Sequence, residues 1–224
     1  MKVIQVMPTD NVDFLKNYGV MIDDVPKTVF DVLKTECLFI NQNYDNEISK
    51  NREGFSGLSS VGTPRHFFIN GHRDMIQTYL IEQVKNYDEK YGYICSNDIL
   101  SHNVPFKLGD LWVNVQRKGE YVPNHVHTGF LSFVIWVKIP YDIRDEIPNI
   151  DSYSYVPSTA CFEFVYQNIL GLTTFQRIFT TKDYEGKILM FPSKLCHCVY
   201  PFFSTNENRI SISGNIHFDT SKYE

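Results

Sequence analysis

Apolar side chains recur at helical spacing in the first third of the chain. Residues 26–40 predict an amphipathic helix, with Asp24 as a suitable N-cap and Pro26 in the first turn. Its predicted buried stripe consists of Val29, Phe30, Leu33 and Cys37. We therefore expect one face of this helix to pack against the protein core.

A second helix is predicted more firmly over residues 75–91. Asp74 and Gln77 are spaced as in a capping box, and Gly92 suits the C-terminal cap. The expected buried face consists of Ile76, Leu80, Val84, Tyr87 and Tyr91. Residues 41–65 between the two helices are polar and turn-rich, and a stretch of that kind is often a functional loop. We expect it to act as a lid over a site.

After residue 100 the pattern changes to short apolar runs separated by turns. Strict alternation is visible in the segment RISISGNIHF, and KDYEGK at 182–187 is typical of a turn. The predicted strands are 111–117, 130–138, 160–167, 173–180, 187–191, 196–201 and 208–216. Short strands at regular spacing indicate a sandwich or a jelly roll, with the two helices packed against one outer sheet face.

Composition supports a mainly β protein with N-terminal helices. The 14 Tyr and 17 Phe favour strands, and 224 residues are enough for one domain with a sizeable core. We expect a single domain over 1–224, with helical support and loops in 1–100 and the strand core in 101–220.

Charge and cysteine usage exclude several function classes. A net charge of −5 without a basic run makes nucleic acid an improbable partner. The five cysteines lack CxxC spacing, which argues against a disulfide framework or a zinc ribbon. The apolar run 130–137 is too short to cross a membrane, and the first residues do not resemble a signal peptide. These features predict a cytoplasmic protein without a membrane partner.

Three histidines and one arginine carry the candidate chemistry. His125 and His127 lie in PNHVHTG, His197 lies in FPSKLCHCVYP, and Arg209 lies in NRISIS. An i, i+2 pair in extended backbone places both rings on one face, and imidazole binds Fe, Zn, Cu or Ni. An arginine can hold a carboxylate by two parallel hydrogen bonds. Together the residues predict a metal site beside an anionic cosubstrate.

The same segments resemble the Fe(II)/2-oxoglutarate-dependent oxygenases. The resemblance rests on LWVNVQRKGEYVPNHVHTGFLSFVIWVKIP, GKILMFPSKLCHCVYP and NRISISGNI, and covers residues 111–216, about half of the chain. It is strongest for a prolyl-hydroxylase-like subgroup common in marine bacteria and their phages. The resemblance implies a double-stranded β-helix, a form of jelly roll, which agrees with the predicted strands.

The resemblance also implies roles for individual residues. His125 and His197 match two ligands of Fe(II), and His127 stands at the position of the third. Arg209 matches the residue that binds the far carboxylate of 2-oxoglutarate, and Ser211 can add a hydroxyl. The other polar contacts expected for the cosubstrate are Asn114 and Gln116. No catalytic residue is expected beyond the metal ligands.

The implied reaction is hydroxylation of a C–H bond with O2, releasing succinate and CO2 from 2-oxoglutarate. The substrate would be a small molecule or a peptide, such as a prolyl or another amino-acid side chain. If the chain is encoded by a phage, its location is the host cytoplasm.

The sequence departs from the family pattern at three positions. His127 replaces a carboxylate, so three neutral imidazoles would leave the metal its full +2 charge. A carboxylate from elsewhere remains an alternative, and His217 and Asp219 form another His-x-Asp pair. Phe133 and Trp136 replace a small residue and a tyrosine of the subgroup, which affects the expected cosubstrate pocket.

The remaining histidines, cysteines and tryptophans are expected to be structural. These are surface or core residues His66, His72 and His102, buried strand residues Cys196 and Cys198 pointing away from the metal, and core residues Trp112 and Trp136.

Two other functions fit the same residues. One is a cupin-type dioxygenase with three histidines that does not use 2-oxoglutarate, which Arg209 disfavours. The other is a non-catalytic jelly-roll binding module or phage structural module, which the histidines disfavour.

Overall fold

The protein was analysed as a computed structural model, which describes residues 19–42, 66–69, 71–94, 104–146 and 158–221. Within these ranges the helices are α1 Lys27–Gln42, α2 Arg73–Tyr91 and the short α3 Ile143–Glu146, and a 3-10 helix occupies Lys182–Tyr184. The strands are β1 Met21–Asp24, β2 His66–Phe68, β3 Phe106–Gln116, β4 Val122–His125, β5 Leu131–Lys138, β6 Cys161–Gln167, β7 Thr173–Phe179, β8 Lys187–Pro192, β9 Cys196–Val199 and β10 Arg209–Phe218. None of the described helices has the length and apolar character needed to cross a bilayer.

The strands form two facing antiparallel sheets. A six-stranded sheet has the order β1-β8-β5-β10-β3-β2, and a four-stranded sheet has the order β4-β9-β6-β7. From β3 to β10 the chain alternates between the sheets, except at the β6–β7 hairpin. This winding is that of a double-stranded β-helix, so the predicted jelly-roll fold is confirmed.

The helices cover the outer face of the six-stranded sheet, as predicted. Leu33 of α1 and Leu80 of α2 are fully buried in one apolar cluster with strand residues such as Val113 and Ile212. Because strand side chains alternate between faces, the neighbours of these residues point the other way, into the space between the sheets. The inward-facing polar residues of β3 and β10 are Asn114, Gln116, Arg209, Ser211 and Ser213.

The start of α1 differs from the prediction. Asp24 is the last residue of β1, and its carboxylate accepts a hydrogen bond from Lys187 on β8 at 2.6 Å. The Pro26 carbonyl instead accepts the N–H groups of Val29 and Phe30, both at 2.9 Å. Asp24 is therefore not the N-cap, because it belongs to β1 and pairs with Lys187 of β8. The predicted stripe of Val29, Leu33 and Cys37 is buried, with Phe30 partly buried beside it.

The start of α2 also lacks the predicted capping box. His72 occupies the N-cap position in a left-handed conformation, φ 52°, without a side-chain cap. The Gln77 side-chain carbonyl accepts the Leu108 N–H at 3.1 Å, so it joins the helix to β3 and does not pair with Asp74. Gly92 ends the helix in the left-handed region, φ 62°, as predicted.

A buried carboxylate shapes the loop that leads into β10. Glu146 of α3 is fully buried and accepts the N–H groups of Phe203 at 2.6 Å and Ser204 at 2.9 Å, together with the Ser204 hydroxyl. The same loop places Phe202 in the core between the sheets. Glu146 thus stabilises the segment that immediately precedes Arg209.

Replacing Glu146 by alanine is expected to lower the free energy of unfolding by about 3 kcal/mol, because buried backbone donors lose their acceptor. Urea denaturation monitored by circular dichroism measures this change. The matched control is Asp145→Ala, the adjacent exposed carboxylate, which should change stability by less than about 0.5 kcal/mol. Equal effects of the two substitutions would contradict a structural role for Glu146.

Candidate metal centre and anion site

Three imidazoles converge at one end of the space between the sheets. His125 at the end of β4 lies directly opposite His197 on β9 in the strand register. His127 follows β4, and its backbone N–H donates to the Ser193 carbonyl at 2.9 Å. The ring centroids are 4.3 Å apart for His125 and His197, 4.9 Å for His125 and His127, and 5.0 Å for His127 and His197.

The donor atoms of these rings suit a metal ion. One ligand nitrogen from each ring can be chosen so that all three lie within 4.8 Å of one another. Nδ1 of His125 contacts the Pro123 carbonyl at 2.7 Å, and Nδ1 of His197 contacts the Leu195 carbonyl at 2.9 Å. A carbonyl only accepts, so each Nδ1 carries the proton and each Nε2 keeps a free lone pair. Both rings are therefore held in the tautomer that binds a metal through Nε2.

Burial keeps two of the rings uncharged. His197 is 3 % exposed, and desolvation, helped by the neighbouring imidazoles, lowers its pKa to about 3. Desolvation also lowers the pKa of His125. The Phe162 ring stacks on His197 at 5.1 Å with an angle of 11° between the planes. A neutral imidazole is the form that binds a metal, so this environment favours binding near neutral pH.

The alternative ligand pair lies elsewhere in the structure. Asp219 forms an ion pair with Lys107 at 3.4 Å and accepts the Ser221 hydroxyl at 2.7 Å. The His217 ring packs where side chains at Gly109 and Gly129 would otherwise stand. Among the described residues, His125, His127 and His197 are the only group of three or more possible ligands that converges in this way.

Arg209 lies in the same space between the sheets and is saturated with hydrogen bonds. Nε and Nη2 both donate to the Gln116 side-chain oxygen, at 3.0 and 2.5 Å. Nη1 donates to the Tyr141 hydroxyl at 2.7 Å and the Ala160 carbonyl at 3.3 Å, and Nη2 also donates to the Tyr200 carbonyl at 2.8 Å. A guanidinium has five N–H donors, and all five are used.

The acceptors around Arg209 are all neutral. The guanidinium is 3 % exposed, and among the described residues no carboxylate lies within ion-pair distance of it. Arg177 on β7 shows the contrast, because its Nε donates to the buried Glu163 carboxylate at 2.5 Å. A buried cation without a counter-charge is costly unless an anion joins it. The environment of Arg209 therefore fits an anionic ligand.

Tyr141 links Arg209 to a buried hydrogen-bonded group formed by Thr180 and the Ala160 carbonyl. Arginine can only donate, so the Tyr141 oxygen accepts from Arg209, and the acceptors within reach of the Tyr141 proton are Thr180 at 2.7 Å and the Ala160 carbonyl at 3.3 Å. Thr180 in turn donates to the Ala160 carbonyl at 2.7 Å. Sequence reasoning missed Tyr141, because it lies after β5 with no motif around it.

The other predicted cosubstrate contacts lie together on inward faces. The Asn114 amide donates to Ser213 at 2.9 Å and to Ser211 at 3.4 Å, and its oxygen accepts the Trp112 indole N–H at 3.1 Å. The Trp112 ring centroid is 5.8 Å from that of His127. These contacts place predicted polar residues between the histidines and Arg209 along β3 and β10.

The departures from the family pattern have different consequences. Phe133 is buried on the helix side of β5, so it does not point into the space between the sheets. Trp136 does face that space, where its ring lies 5.1 Å from Tyr184. Cys198 is buried on the opposite face of β9 from His197, as predicted, whereas Cys196 is only partly buried. The lid expected at 41–65 and His102 lie almost wholly outside the described residues.

The comparisons with known proteins agree with this geometry. Residues 110–215 match the model of a family described as "Putative 2OG-Fe(II) oxygenase". This segment, slightly less than half of the chain, is similar to the 2OG-Fe(II) oxygenase family. It contains all the histidines of the cluster and Arg209. The match confirms the resemblance inferred from the sequence, and with it the predicted enzyme class and the predicted Fe(II) and 2-oxoglutarate.

Solved structures show that the oxygenase fold extends over most of the chain. A Pseudomonas putida prolyl-4-hydroxylase is similar with a TM-score of 0.52 and 12% identity, over 90% of this chain and 93% of that one. AviO1 from Streptomyces viridochromogenes Tue57 is similar with a TM-score of 0.54 and 11% identity, over 91% of each chain. At such identities the likeness concerns the fold alone. No match was found among curated protein sequences.

Proposed function

We propose that the protein is a dioxygenase that hydroxylates a C–H bond of its substrate, with His125, His127 and His197 holding Fe(II) and Arg209 binding 2-oxoglutarate. The observation that carries this proposal is the pairing of two features in one interior. One is a cluster of three imidazoles in which His125 and His197 keep their Nε2 lone pairs free, and the other is a buried guanidinium without a counter-charge.

The proposed reaction balances without further reactants. Substrate R–H, 2-oxoglutarate and O2 yield R–OH, succinate and CO2, and one oxygen atom enters each of the hydroxyl group and the new succinate carboxylate. When bound, the iron and its cosubstrate supply the oxidising chemistry. The chain's own residues supply binding and orientation, because His125 and His197 are held by backbone carbonyls and Arg209 by Tyr141.

One side of the histidine cluster is covered by aromatic rings. Phe162, Phe164 and Phe191 surround the His197 ring, with centroids 5.1, 6.1 and 4.9 Å away. These rings form an apolar wall on one side of His197, so we expect the substrate to approach the metal from another side. Excluding water protects reactive species from side reactions and strengthens the charge interactions of the site.

For the substrate we propose an amino-acid side chain, such as a prolyl residue, in a peptide or a small molecule. The support is the prolyl-4-hydroxylase among the structures of similar fold, and it is support by analogy. We further propose that the helices α1 and α2 and the strand core form one oxygenase unit over 1–224, in the cytoplasm.

Two alternative functions are less well supported. A cupin-type dioxygenase without 2-oxoglutarate would not need a buried arginine lacking a counter-charge. A non-catalytic binding module would not need the tautomers of His125 and His197 that free their Nε2 atoms.

Succinate formation tests the proposed function directly. The purified chain, incubated with Fe(II), ascorbate, 2-oxoglutarate and O2, should release succinate slowly even without its substrate, and faster with a peptide or amino acid that it hydroxylates. Succinate and any 16-dalton increase in the substrate are measured by mass spectrometry. Oxygen consumption without succinate would favour the cupin-type alternative, and no oxygen consumption would favour a binding module.

A further inference from the structure

The bidentate edge of Arg209 is already occupied by a side chain of the same protein. The Nε and Nη2 groups present two parallel N–H bonds, which is the geometry that a carboxylate takes. Here one oxygen of Gln116 accepts from both, at 3.0 and 2.5 Å. Gln116 itself is 9 % exposed and lies opposite Arg209 in the β3–β10 register.

The other acceptors of Arg209 are harder to displace. Two of them are the backbone carbonyls of Ala160 and Tyr200, and the third is the Tyr141 hydroxyl, which is held in a chain with Thr180. Since all five N–H groups are used, a carboxylate can bind in bidentate fashion only by replacing acceptors. Replacing Gln116 requires one side-chain rotation, whereas the opposite edge requires movement of backbone.

The Gln116 amide nitrogen is held by a backbone carbonyl of the next turn. Nε2 donates to the Glu120 carbonyl at 2.5 Å, in the turn between β3 and β4. In this orientation Gln116 offers Arg209 an acceptor, and the Glu120 carbonyl holds one of its two amide N–H groups. The contact therefore opposes anion binding at Arg209, although it satisfies the guanidinium while no anion is bound.

We propose that Gln116 is a place-holding acceptor, which occupies the carboxylate edge of Arg209 and is exchanged for the far carboxylate of 2-oxoglutarate. This inference rests on the proposed function. It predicts the opposite change in 2-oxoglutarate affinity, when Gln116 is replaced, from the change expected if Gln116 were a direct contact of the cosubstrate. A place-holder competes with the cosubstrate, so removing its acceptor strengthens cosubstrate binding. A residue that contacts the cosubstrate directly strengthens binding, so removing it weakens binding.

The test measures 2-oxoglutarate binding by calorimetry to the full chain loaded with Ni(II), which avoids turnover. Gln116→Met keeps the volume of the side chain and removes the acceptor, and should lower the Kd about fivefold. Gln116→Glu places a permanent carboxylate at Arg209, and should raise the Kd about 30-fold or more. The control is Gln167→Glu at an exposed position of β6, which adds the same charge and should leave the Kd unchanged.

The outcomes separate this inference from the proposed function. If the native chain binds 2-oxoglutarate and Gln116→Met binds it more weakly, the place-holder is refuted while the proposed function stands. If Gln116→Glu binds as tightly as the native chain, the place-holder is likewise refuted. If Gln116→Met binds and the native chain does not, the place-holder is supported in its strongest form. If neither binds, the cosubstrate assignment fails and the place-holder fails with it.

Discussion

Replacing His125 and His197 together by alanine is expected to reduce the affinity for Fe(II) roughly 10,000-fold, since each ligand of a protein metal site contributes about 3 kcal/mol. The structure gives the reason, because both rings are held with Nε2 free by hydrogen bonds from Nδ1 to backbone carbonyls. Anaerobic titration with Fe(II), or with Ni(II) as an oxygen-stable substitute, measures the loss. Succinate formation should disappear with the metal.

The control for this prediction is His217→Ala, a histidine on β10 outside the cluster. It should leave metal affinity within about twofold of the native value, which corresponds to an effect below about 0.5 kcal/mol. A third variant, His127→Ala, should weaken binding about 100-fold if His127 is the third ligand. Native affinity in the double variant would refute the metal centre, and a loss in His217→Ala would reopen the His217–Asp219 alternative.

Replacing Arg209 by alanine is expected to weaken 2-oxoglutarate binding about 100-fold or more, because truncating one partner of a buried charge pair costs about 2–5 kcal/mol. Metal content should stay near the native value, since Arg209 makes no contact with the histidines that the structure records. Calorimetry with the Ni(II)-loaded chain measures cosubstrate affinity, and elemental analysis measures metal content. Arg209→Lys should be intermediate, because it keeps the charge and loses the bidentate edge.

Loss of stability has to be separated from loss of binding in this experiment. Arg209→Ala leaves the Gln116 and Tyr141 acceptors without their donor, so the variant will be less stable. Arg177→Ala is the matched control, because it breaks the Arg177–Glu163 ion pair on the outer face of the four-stranded sheet. It should destabilise the protein without changing cosubstrate affinity. Equal affinities for 2-oxoglutarate in the native and Arg209→Ala chains would refute the assignment of Arg209.

The elements of the fold were largely predictable, because their periodicity reflects burial. The strand around RISISGNIHF alternates between a helix-facing set with Ile210 and Ile212 and an inward set with Ser211 and Ser213, and this alternation is visible in the sequence. Strands β1, β2 and β4 were missed, since each has only three or four residues and, unlike the equally short β9, lies outside the short apolar runs from which strands were predicted. The caps of α1 and α2 were wrong for a different reason. Asp24 and Gln77 bond to residues distant in sequence, Lys187 and Leu108, in preference to their own helices.

The candidate site residues were also readable from the sequence. The motifs that contain these residues follow one another in a fixed order along the chain. That order can be recognised in the sequence without knowledge of the fold. The residues are His125, His127, His197 and Arg209. The partners that give these residues their properties were not readable. Tyr141 and the Ala160 carbonyl reach Arg209 across separations of 68 and 49 residues, with no motif at either position.

The sequence by itself determined the fold class, the two buried helix faces and the candidate ligands, because each depends on side-chain type at local spacing. Only the tertiary structure decided the environment of those residues. It buried Arg209 among neutral acceptors without a carboxylate, placed Gln116 on its bidentate edge, and held His125 and His197 in one tautomer. Charge balance and hydrogen-bond partnership depend on which distant strands meet, and that pairing is a property of the folded chain as a whole.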